Sequence, residues 1–253
     1  MRLFGLTGHA LSHSFSKLFF DRKFIEEGIT DCRYELFPVS GAQFIRPLTV
    51  QFPDLAGLNV TTPFKQSVIQ YLDKTDSVAE HIGAVNCIKV NRTSGTPFLT
   101  GYNTDSPAFR DSLKPLLKPH HTKALILGTG GAAHAVRYAL EELGIEFQLV
   151  SRRKETGYLV YDDLTREILD NFSIVVNATP AGMFPAVGDY SGIPYQHLSE
   201  RHLLYDLVYN PELTMFLQKG KQQGATIKNG LEMLHRQAEL AWQLWNSDEA
   251  TPD

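Results

Sequence analysis

Two cysteines in 253 residues are too few for a disulfide framework, and Cys32 and Cys87 lack the spacing of metal ligands. Both read as small core residues in a reducing compartment. No apolar run approaches the roughly 18 residues that a membrane span needs. The opening Met1-Arg2-Leu3-Phe4-Gly5-Leu6-Thr7-Gly8-His9 has neither the charge nor the apolar length of a secretory signal, so cytoplasm is the expected address. There is no basic excess. The 24 lysines and arginines face 28 aspartates and glutamates, a formal charge of -4 that argues against nucleic acid as a partner. The nine histidines are scattered without a zinc-type His-Glu-x-x-His pair, so no metal is expected. Repeats and low-complexity segments are also missing, and the length suits one large domain or two modest ones.

What is present alternates. Leu3–Leu6, Tyr34–Phe37 and Leu58–Val60 read as strands, with amphipathic stretches at Leu18–Glu27 and Phe64–Leu72 as the intervening helices. Val85–Val90 and Pro97–Thr100, separated by Asn91-Arg92-Thr93-Ser94-Gly95-Thr96, read as a hairpin at the edge of this first set. Pro115 and Pro119 then punctuate the chain. A second set follows, with strands at Ala124–Leu127, Phe147–Val150, Ile174–Asn177, Leu203–Leu207 and Thr226–Lys228, and helices expected between them as in a doubly wound parallel sheet. Leu231–Trp245 has apolar residues at helical spacing.

Within the second set, Ala124-Leu125-Ile126-Leu127-Gly128-Thr129-Gly130-Gly131-Ala132-Ala133 reads as a buried strand turning sharply into a helix, the arrangement that holds a dinucleotide pyrophosphate. Gly128 permits the turn, Gly130 lets N–H groups approach phosphate oxygens, and Ala133 keeps the helix close to the sheet. The helix would also direct its positive dipole end at the phosphates. In the NAD version of this fold an acid ends the second strand, about 20 residues on, and bonds the ribose 2′-hydroxyl. Here the place reads Ser151-Arg152-Arg153-Lys154. Guanidinium groups pair with a 2′-phosphate that a carboxylate would repel, and Ser151 adds a hydroxyl, so NADP is the expected cofactor.

Four polar segments resist a packing explanation together, although each has one singly. Ser14 and Ser16 can present two hydroxyls, but Ser16 is also a natural cap for a helix starting at Lys17. Asn59-Val60-Thr61-Thr62-Pro63-Phe64-Lys65 reads as a strand end with Thr62 as cap, Pro63 at the first helical position and Lys65 in the first turn. Gly83-Ala84-Val85-Asn86 places an amide at a strand start. Asn103-Thr104-Asp105 puts a carboxylate near a helix N-terminus, where capping is explanation enough.

In order, these segments resemble the shikimate dehydrogenase family. The resemblance runs through Ser14-Phe15-Ser16, Asn59-Val60-Thr61 with Pro63 and Lys65, Gly83-Ala84-Val85-Asn86, Asn103-Thr104-Asp105 and Gly128-Thr129-Gly130-Gly131-Ala132. It continues with Asn177-Ala178-Thr179-Pro180, Asp206-Leu207-Val208-Tyr209-Asn210-Pro211 and Gly230-Leu231-Glu232-Met233-Leu234 with Gln237, spanning nearly the whole chain. It implies two α/β domains, an N-terminal substrate-binding domain and a Rossmann-type NADP-binding domain, with the C-terminal helix returning to the first. The expected division is 1–103 plus 229–253 for substrate and 104–228 for the dinucleotide. The implied reaction is the reversible NADPH-dependent reduction of 3-dehydroshikimate to shikimate, on the way to chorismate and the aromatic amino acids.

Carried over residue by residue, the resemblance makes Lys65 and Asp105 the catalytic pair. Ser14 and Ser16 bind the substrate carboxylate, and Thr61, Asn86 and Gln237 hold ring hydroxyls with Tyr209 nearby. Gly128, Thr129, Gly130, Gly131, Ala132, Ser151, Arg152, Arg153, Asn177, Thr179, Leu207 and Gly230 face the cofactor. Lys65 either moves the proton itself or stabilises oxyanion charge and works through Asp105; the residues do not choose. The chain departs from the family where it has Ala10 and Lys17 in place of prolines, Cys87 for threonine and Ser151 for asparagine, and it is compact between Arg153 and Asn177. The competing readings are a quinate/shikimate dehydrogenase of relaxed substrate and cofactor choice, and a regulatory protein that binds NADP without catalysis. The expected partners are small molecules, and the chain is expected to be a monomer or homodimer.

Overall fold

The computed structural model describes residues 1–9, 11, 14–92 and 95–247. Ala10, Ser12 and His13 of the serine loop, and Thr93 and Ser94 of the hairpin turn, lie outside them. The chain divides into two compact units, Met1–Thr104 with His235–Asp253, and Asp105–Leu234.

The first unit contains β1 (Arg2–Gly8), α1 (Phe15–Glu26), β2 (Cys32–Pro38), α2 (Ile45–Gln51), β3 (Leu55–Val60), β4 (Lys74–Thr75), α3 (Ser77–Ile82), β5 (Cys87–Asn91) and β6 (Phe98–Tyr102). Its mixed sheet has the order β2-β1-β3-β5-β6-β4. β1 runs parallel to β2 and β3, while β5 is antiparallel to both β3 and β6. The β5–β6 hairpin is present, but it does not form the edge, because the two-residue β4 pairs outside β6. A strand so short carries too little pattern to be seen in sequence.

Side chains alternate across this sheet and feed two cores. Leu3, Leu55, Leu58, Ile88 and Leu99 pack with Ile45, Phe64, Val68 and Ala79. On the other face Phe4, Leu6 and Tyr34 pack with Phe20 and Phe24 of α1 and with Ala238, Ala241 and Trp245 of the last helix, whose residues from His235 onward belong to this unit. Trp245 stacks on Phe4 with ring centroids 4.8 Å apart and donates its indole N–H to the Ile88 carbonyl at 3.0 Å. Gly57 is what lets it lie there, since a Cβ on that residue would run into the indole.

The stretch Phe64–Leu72 is not the expected α-helix, so Thr62 is not its cap. Phe64 and Val68 are buried four residues apart, which produces the helical signature. However, the Lys65 carbonyl accepts from the Val85 N–H at 2.7 Å and is drawn out of any i to i+4 ladder. Ile69 turns instead to the Gln66 carbonyl, and the segment runs as successive turns closing in a single 3-10 turn, Ile69–Tyr71. The Thr62–Pro63 peptide bond is cis.

The second unit contains α4 (Asp105–Leu113), β7 (Lys123–Leu127), α5 (Gly131–Glu142), β8 (Glu146–Ser151), β9 (Leu159–Val160), α6 (Arg166–Asn171), β10 (Ile174–Asn177), β11 (Leu203–Asp206), α7 (Met215–Gln222) and β12 (Thr226–Lys228). α8 (Leu231–Asn246) begins here. All strands are parallel, in the order β12-β11-β10-β7-β8-β9. Counted from β7, this is the 3-2-1-4-5-6 order of a dinucleotide fold, reversing between β7 and β10. One expected helix is missing. Residues 178–202, between β10 and β11, hold no α-helix, and Pro180, Pro185 and Pro194 with Gly182, Gly188 and Gly192 supply the reason.

Trp245→Ala is expected to cost about 3–5 kcal/mol of stability, with Trp245→Phe costing less because the ring stack survives. Guanidinium unfolding checks both, and a loss under about 1 kcal/mol for the alanine variant would refute this anchoring role.

Candidate active site

In the first unit, the polar residues picked from the sequence gather where β1 and β3 end. The Thr61 N–H donates to the Thr7 carbonyl at 3.0 Å, carrying the β1–β3 ladder past its last strand residue. The Val60 N–H reaches the Asn86 carbonyl at 2.9 Å, and the Val85 N–H reaches the Lys65 carbonyl. These bonds bring Thr61, Lys65 and Asn86 around one strand end. Lys65 and Thr61 are half-buried.

Ser14 and Ser16 differ from the cap expectation. α1 begins at Phe15, so Ser14 holds the cap position and Ser16 lies inside the first turn. The Ser14 hydroxyl makes no cap bond, and its Oγ is buried without a partner among the described residues. A buried hydroxyl left over in this way costs free energy unless a ligand satisfies it. Phe15 stacks on His235 at 5.1 Å, which sets the serine turn against the helix that also carries Gln237. Gln237 is half-buried.

The Asn86 side chain is committed. It is 3% exposed; its Oδ1 accepts from the Thr104 N–H at 2.7 Å and its Nδ2 donates to the Thr104 hydroxyl at 2.9 Å. Asn103 likewise donates to the Ala84 carbonyl at 2.9 Å. Asn86 therefore fixes the residue immediately before Asp105. Asp105 is the first residue of α4, with its side chain 7% exposed.

In the second unit, the glycine turn has the geometry its sequence implied. Gly128 has φ +108°, a left-handed-side conformation closed to other residues, and a Cβ there would meet the Thr179 methyl at 2.9 Å. Gly130 precedes α5 in extended conformation with open space where its Cβ would stand, and Thr129 and Gly130 are exposed. Gly131 and Ala132 are half-buried, while Ala133 is fully buried against the sheet. No acid lies in the first turn of α5 to compete for its free N–H groups.

Beyond β8, Arg152, Arg153 and Lys154 are exposed, and none is paired with a carboxylate among the described residues. The Ser151 hydroxyl accepts from the Arg153 N–H at 3.1 Å, folding the turn that displays them. A phosphate-rich dinucleotide with a 2′-phosphate fits these groups: an open glycine cradle, a helix N-terminus and unpaired guanidinium groups.

The next strand ends carry a buried network. Asn177 donates to Asp206 at 2.9 Å and accepts from the Thr179 hydroxyl at 2.6 Å. Asp206 also accepts from the Val208 N–H at 3.0 Å and from the Thr214 hydroxyl at 2.6 Å. The Leu207 N–H bonds the Asn177 carbonyl at 3.0 Å. Gly230 packs so tightly that a Cβ would run into the Leu207 carbonyl, and its N–H donates to Val208. Asn177, Thr179, Leu207 and Gly230 are thus joined through one another. Tyr209 is half-buried, which pushes its phenol above the usual range.

A profile of the shikimate dehydrogenase substrate binding domain matches residues 6–88. An NADP(+) shikimate dehydrogenase of Caldanaerobacter subterraneus subsp. tengcongensis is 34% identical over 264 residues, covering 98% of this chain and 92% of the relative. The chain belongs to the shikimate dehydrogenase family. Among solved structures, the Thermus thermophilus shikimate 5-dehydrogenase in complex with NADP(H) and shikimate aligns over 100% of this chain and 95% of its own, with TM-score 0.83 and 30% identity. Quinate dehydrogenase from Corynebacterium glutamicum in complex with NAD aligns over 97% and 93%, with TM-score 0.84 and 25% identity. The fold is accordingly that of the family, two α/β domains with the last helix returning to the first.

Family motifs carried Asn59, Thr104 and Asp206 without a role, and Tyr34 and Thr214 escaped sequence reasoning. Their partners lie eight to 29 residues away and leave no local pattern.

Burial pushes the Asp206 carboxyl up to about 6 from 3.8, against the pull of Thr214, the Val208 N–H and Asn177. A carboxyl with a raised folded pKa binds more protons folded than unfolded. Its stabilising contribution is full below about pH 4 and is lost as pH rises through about 6, by up to about 3 kcal/mol. The unfolding free energy of the wild type relative to Asp206→Asn should fall across that window, and a flat difference would refute the shift.

Proposed function

We propose that this chain reversibly reduces 3-dehydroshikimate to shikimate with NADPH, in the branch of metabolism that leads to chorismate and aromatic amino acids. The observation that carries the reading is that both halves of the required chemistry are retained on one family fold. One unit carries Lys65 beside neutral hydroxyls and amides, and the other carries an open glycine cradle with unpaired arginines. We assign residues 1–103 with 229–253 to substrate and 104–228 to the dinucleotide, and place the enzyme in the cytoplasm.

In this reading Gly128, Thr129, Gly130, Gly131 and Ala132 cradle the pyrophosphate. Ser151, Arg152 and Arg153 take the 2′-phosphate, and Asn177, Thr179, Leu207 and Gly230 line the nicotinamide side. The bound dinucleotide supplies a hydride equivalent. Reduction of the ring ketone builds negative charge on its oxygen, which the Lys65 ammonium stabilises and protonates, with Asp105 as the second member of the catalytic pair. Ser14 and Ser16 donate to the ring carboxylate, which satisfies the orphaned Ser14 hydroxyl. Thr61, Asn86 and Gln237 are assigned to the ring hydroxyls, Asn86 through the second proton of the amide whose first goes to Thr104, and Tyr209 is assigned to the substrate as well.

The quinate dehydrogenase shares the fold, so fold alone does not separate the substrates. The cations after β8 favour NADP. Absorbance assays of NADP and NAD reduction with shikimate and with quinate test the assignment. Turnover with shikimate and NADP is expected, and comparable rates with quinate or NAD would move the chain to the broader relative. Lys65→Ala is expected to cut kcat by roughly 100-fold or more while NADPH binding, followed by fluorescence, is unchanged. Unaltered turnover would refute the lysine's role. Arg152→Ala is expected to raise KM for NADP about 10- to 100-fold and leave NAD kinetics alone.

A further inference from the structure

Asp206 ends β11 and is fully buried, yet no step proposed above uses it. Asparagine has the same size without the cost of burying an ionisable group. The partners explain the choice. Oδ1 accepts from Asn177 Nδ2 at 2.9 Å and from the Val208 N–H at 3.0 Å, and Oδ2 accepts from the Thr214 hydroxyl at 2.6 Å. All three are donors. Burial lifts the carboxyl to about 6, so it is mainly ionised at neutral pH and offers acceptors alone. It therefore dictates which end of the Asn177 amide faces it, whereas an amide at 206 would accept either orientation. With its nitrogen drawn to Asp206, Asn177 gives its oxygen to the Thr179 hydroxyl at 2.6 Å and the Thr179 N–H at 3.2 Å. The Thr179 oxygen in turn accepts from the Ala181 N–H at 3.3 Å. That turn backs the glycine cradle, since the Thr179 methyl stands 2.9 Å from where a Gly128 Cβ would be.

We propose that Asp206 is a positioning residue for the nicotinamide end of the cofactor, its carboxylate orienting the Asn177 amide so that the Thr179 turn is held against Gly128, and fixing the Leu207–Val208 turn beside it. This role rests on the assignment of Asn177, Thr179, Leu207 and Gly230 to the nicotinamide side. The two turns are already joined, because the Leu207 N–H bonds the Asn177 carbonyl at 3.0 Å and Gly230 packs on the Leu207 carbonyl. A group that fixes both from beneath selects one arrangement of the surface they present. Asp206 touches neither cofactor nor substrate in this role, and no covalent step is involved. Its contribution falls on the nicotinamide end of the dinucleotide, not on the phosphates held by Ser151, Arg152 and Arg153.

The test reads two ligands on the full chain, NADPH and adenosine 2′,5′-bisphosphate, which carries the 2′-phosphate without a nicotinamide. Asp206→Asn should weaken NADPH, followed by fluorescence, about three- to ten-fold, and leave adenosine 2′,5′-bisphosphate affinity and shikimate KM within about two-fold. Thr179→Val keeps the methyl packing, removes the hydroxyl spent on Asn177, and should weaken NADPH by a similar factor. In that background Asp206→Asn should add less than about two-fold, because the turn it holds is already released. Unchanged NADPH affinity in Asp206→Asn overturns the role. So does equal weakening of both ligands, which would make the carboxylate a general support of the unit, and so do effects that multiply in the double variant. Where Asp206→Asn does not fold, Thr179→Val decides alone: selective weakening of NADPH supports the role, and unchanged affinity overturns it. A wild-type chain that binds neither ligand removes the cofactor reading itself, and this role falls with it.

Discussion

Parallel strands deliver their last free backbone groups and side chains to a shared edge, and both units are built on that constraint. In the second unit the ladder runs one residue past each strand: the Gly128 N–H bonds Val150, the Ala178 N–H bonds Leu127, and the Leu207 N–H bonds Asn177. The residues proposed for the site begin where that ladder stops, so their positions inherit the rigidity of the sheet. In the first unit β1 and β3 do the same, with the Thr61 N–H closing on Thr7. Gly128 is the single conformational requirement without which the edge would not open, since its φ of +108° turns β7 away from the sheet and into α5.

Much of this is legible because it is periodic. The buried runs Ala124–Leu127, Ile174–Val176 and Leu203–Tyr205 are continuous apolar segments of a covered parallel sheet, and α8 has its apolar residues on one face. What fails is decided by contacts beyond any local window. Phe64–Leu72 has the spacing of a helix, but Val85 captures the Lys65 carbonyl and the segment becomes turns. β4 and β9 are two residues each and exist because a neighbouring strand offers its edge. The crossover at 178–202 takes a helix only by analogy with its neighbours, although its own prolines and glycines argue otherwise.

The site follows the same division. Ser14, Lys65, Asn86 and Gly128 stand in segments that a resemblance can pick out, but Ser16 carries a helix-capping explanation that the start of α1 at Phe15 removes. A serine at a cap position normally accepts from the first-turn N–H groups. Ser14 does not, and its orphaned oxygen is the signal that only coordinates expose. Tyr34 and Asn59 are 25 residues apart, and each alone is an ordinary strand residue.

The two polar networks differ in charge, and that difference decides where acidity acts. Tyr34, Asn59, Asn86 and Thr104 are neutral, and burial moves the Tyr34 phenol further from titration. Hydroxyls and amides carry no charge of their own, and their dipoles keep their orientation across the range in which Asp206 changes state. The network joining β10, β11 and α7 is centred on that carboxyl, whose burial and three donors pull in opposite directions. Protonating it leaves Asn177, Val208 and Thr214 facing a weaker acceptor, and ionising it places a charge in an apolar surround. Either state carries a cost, so the second unit's strand ends are poised near the pH at which the two costs balance, whereas the first unit's have no such balance to strike.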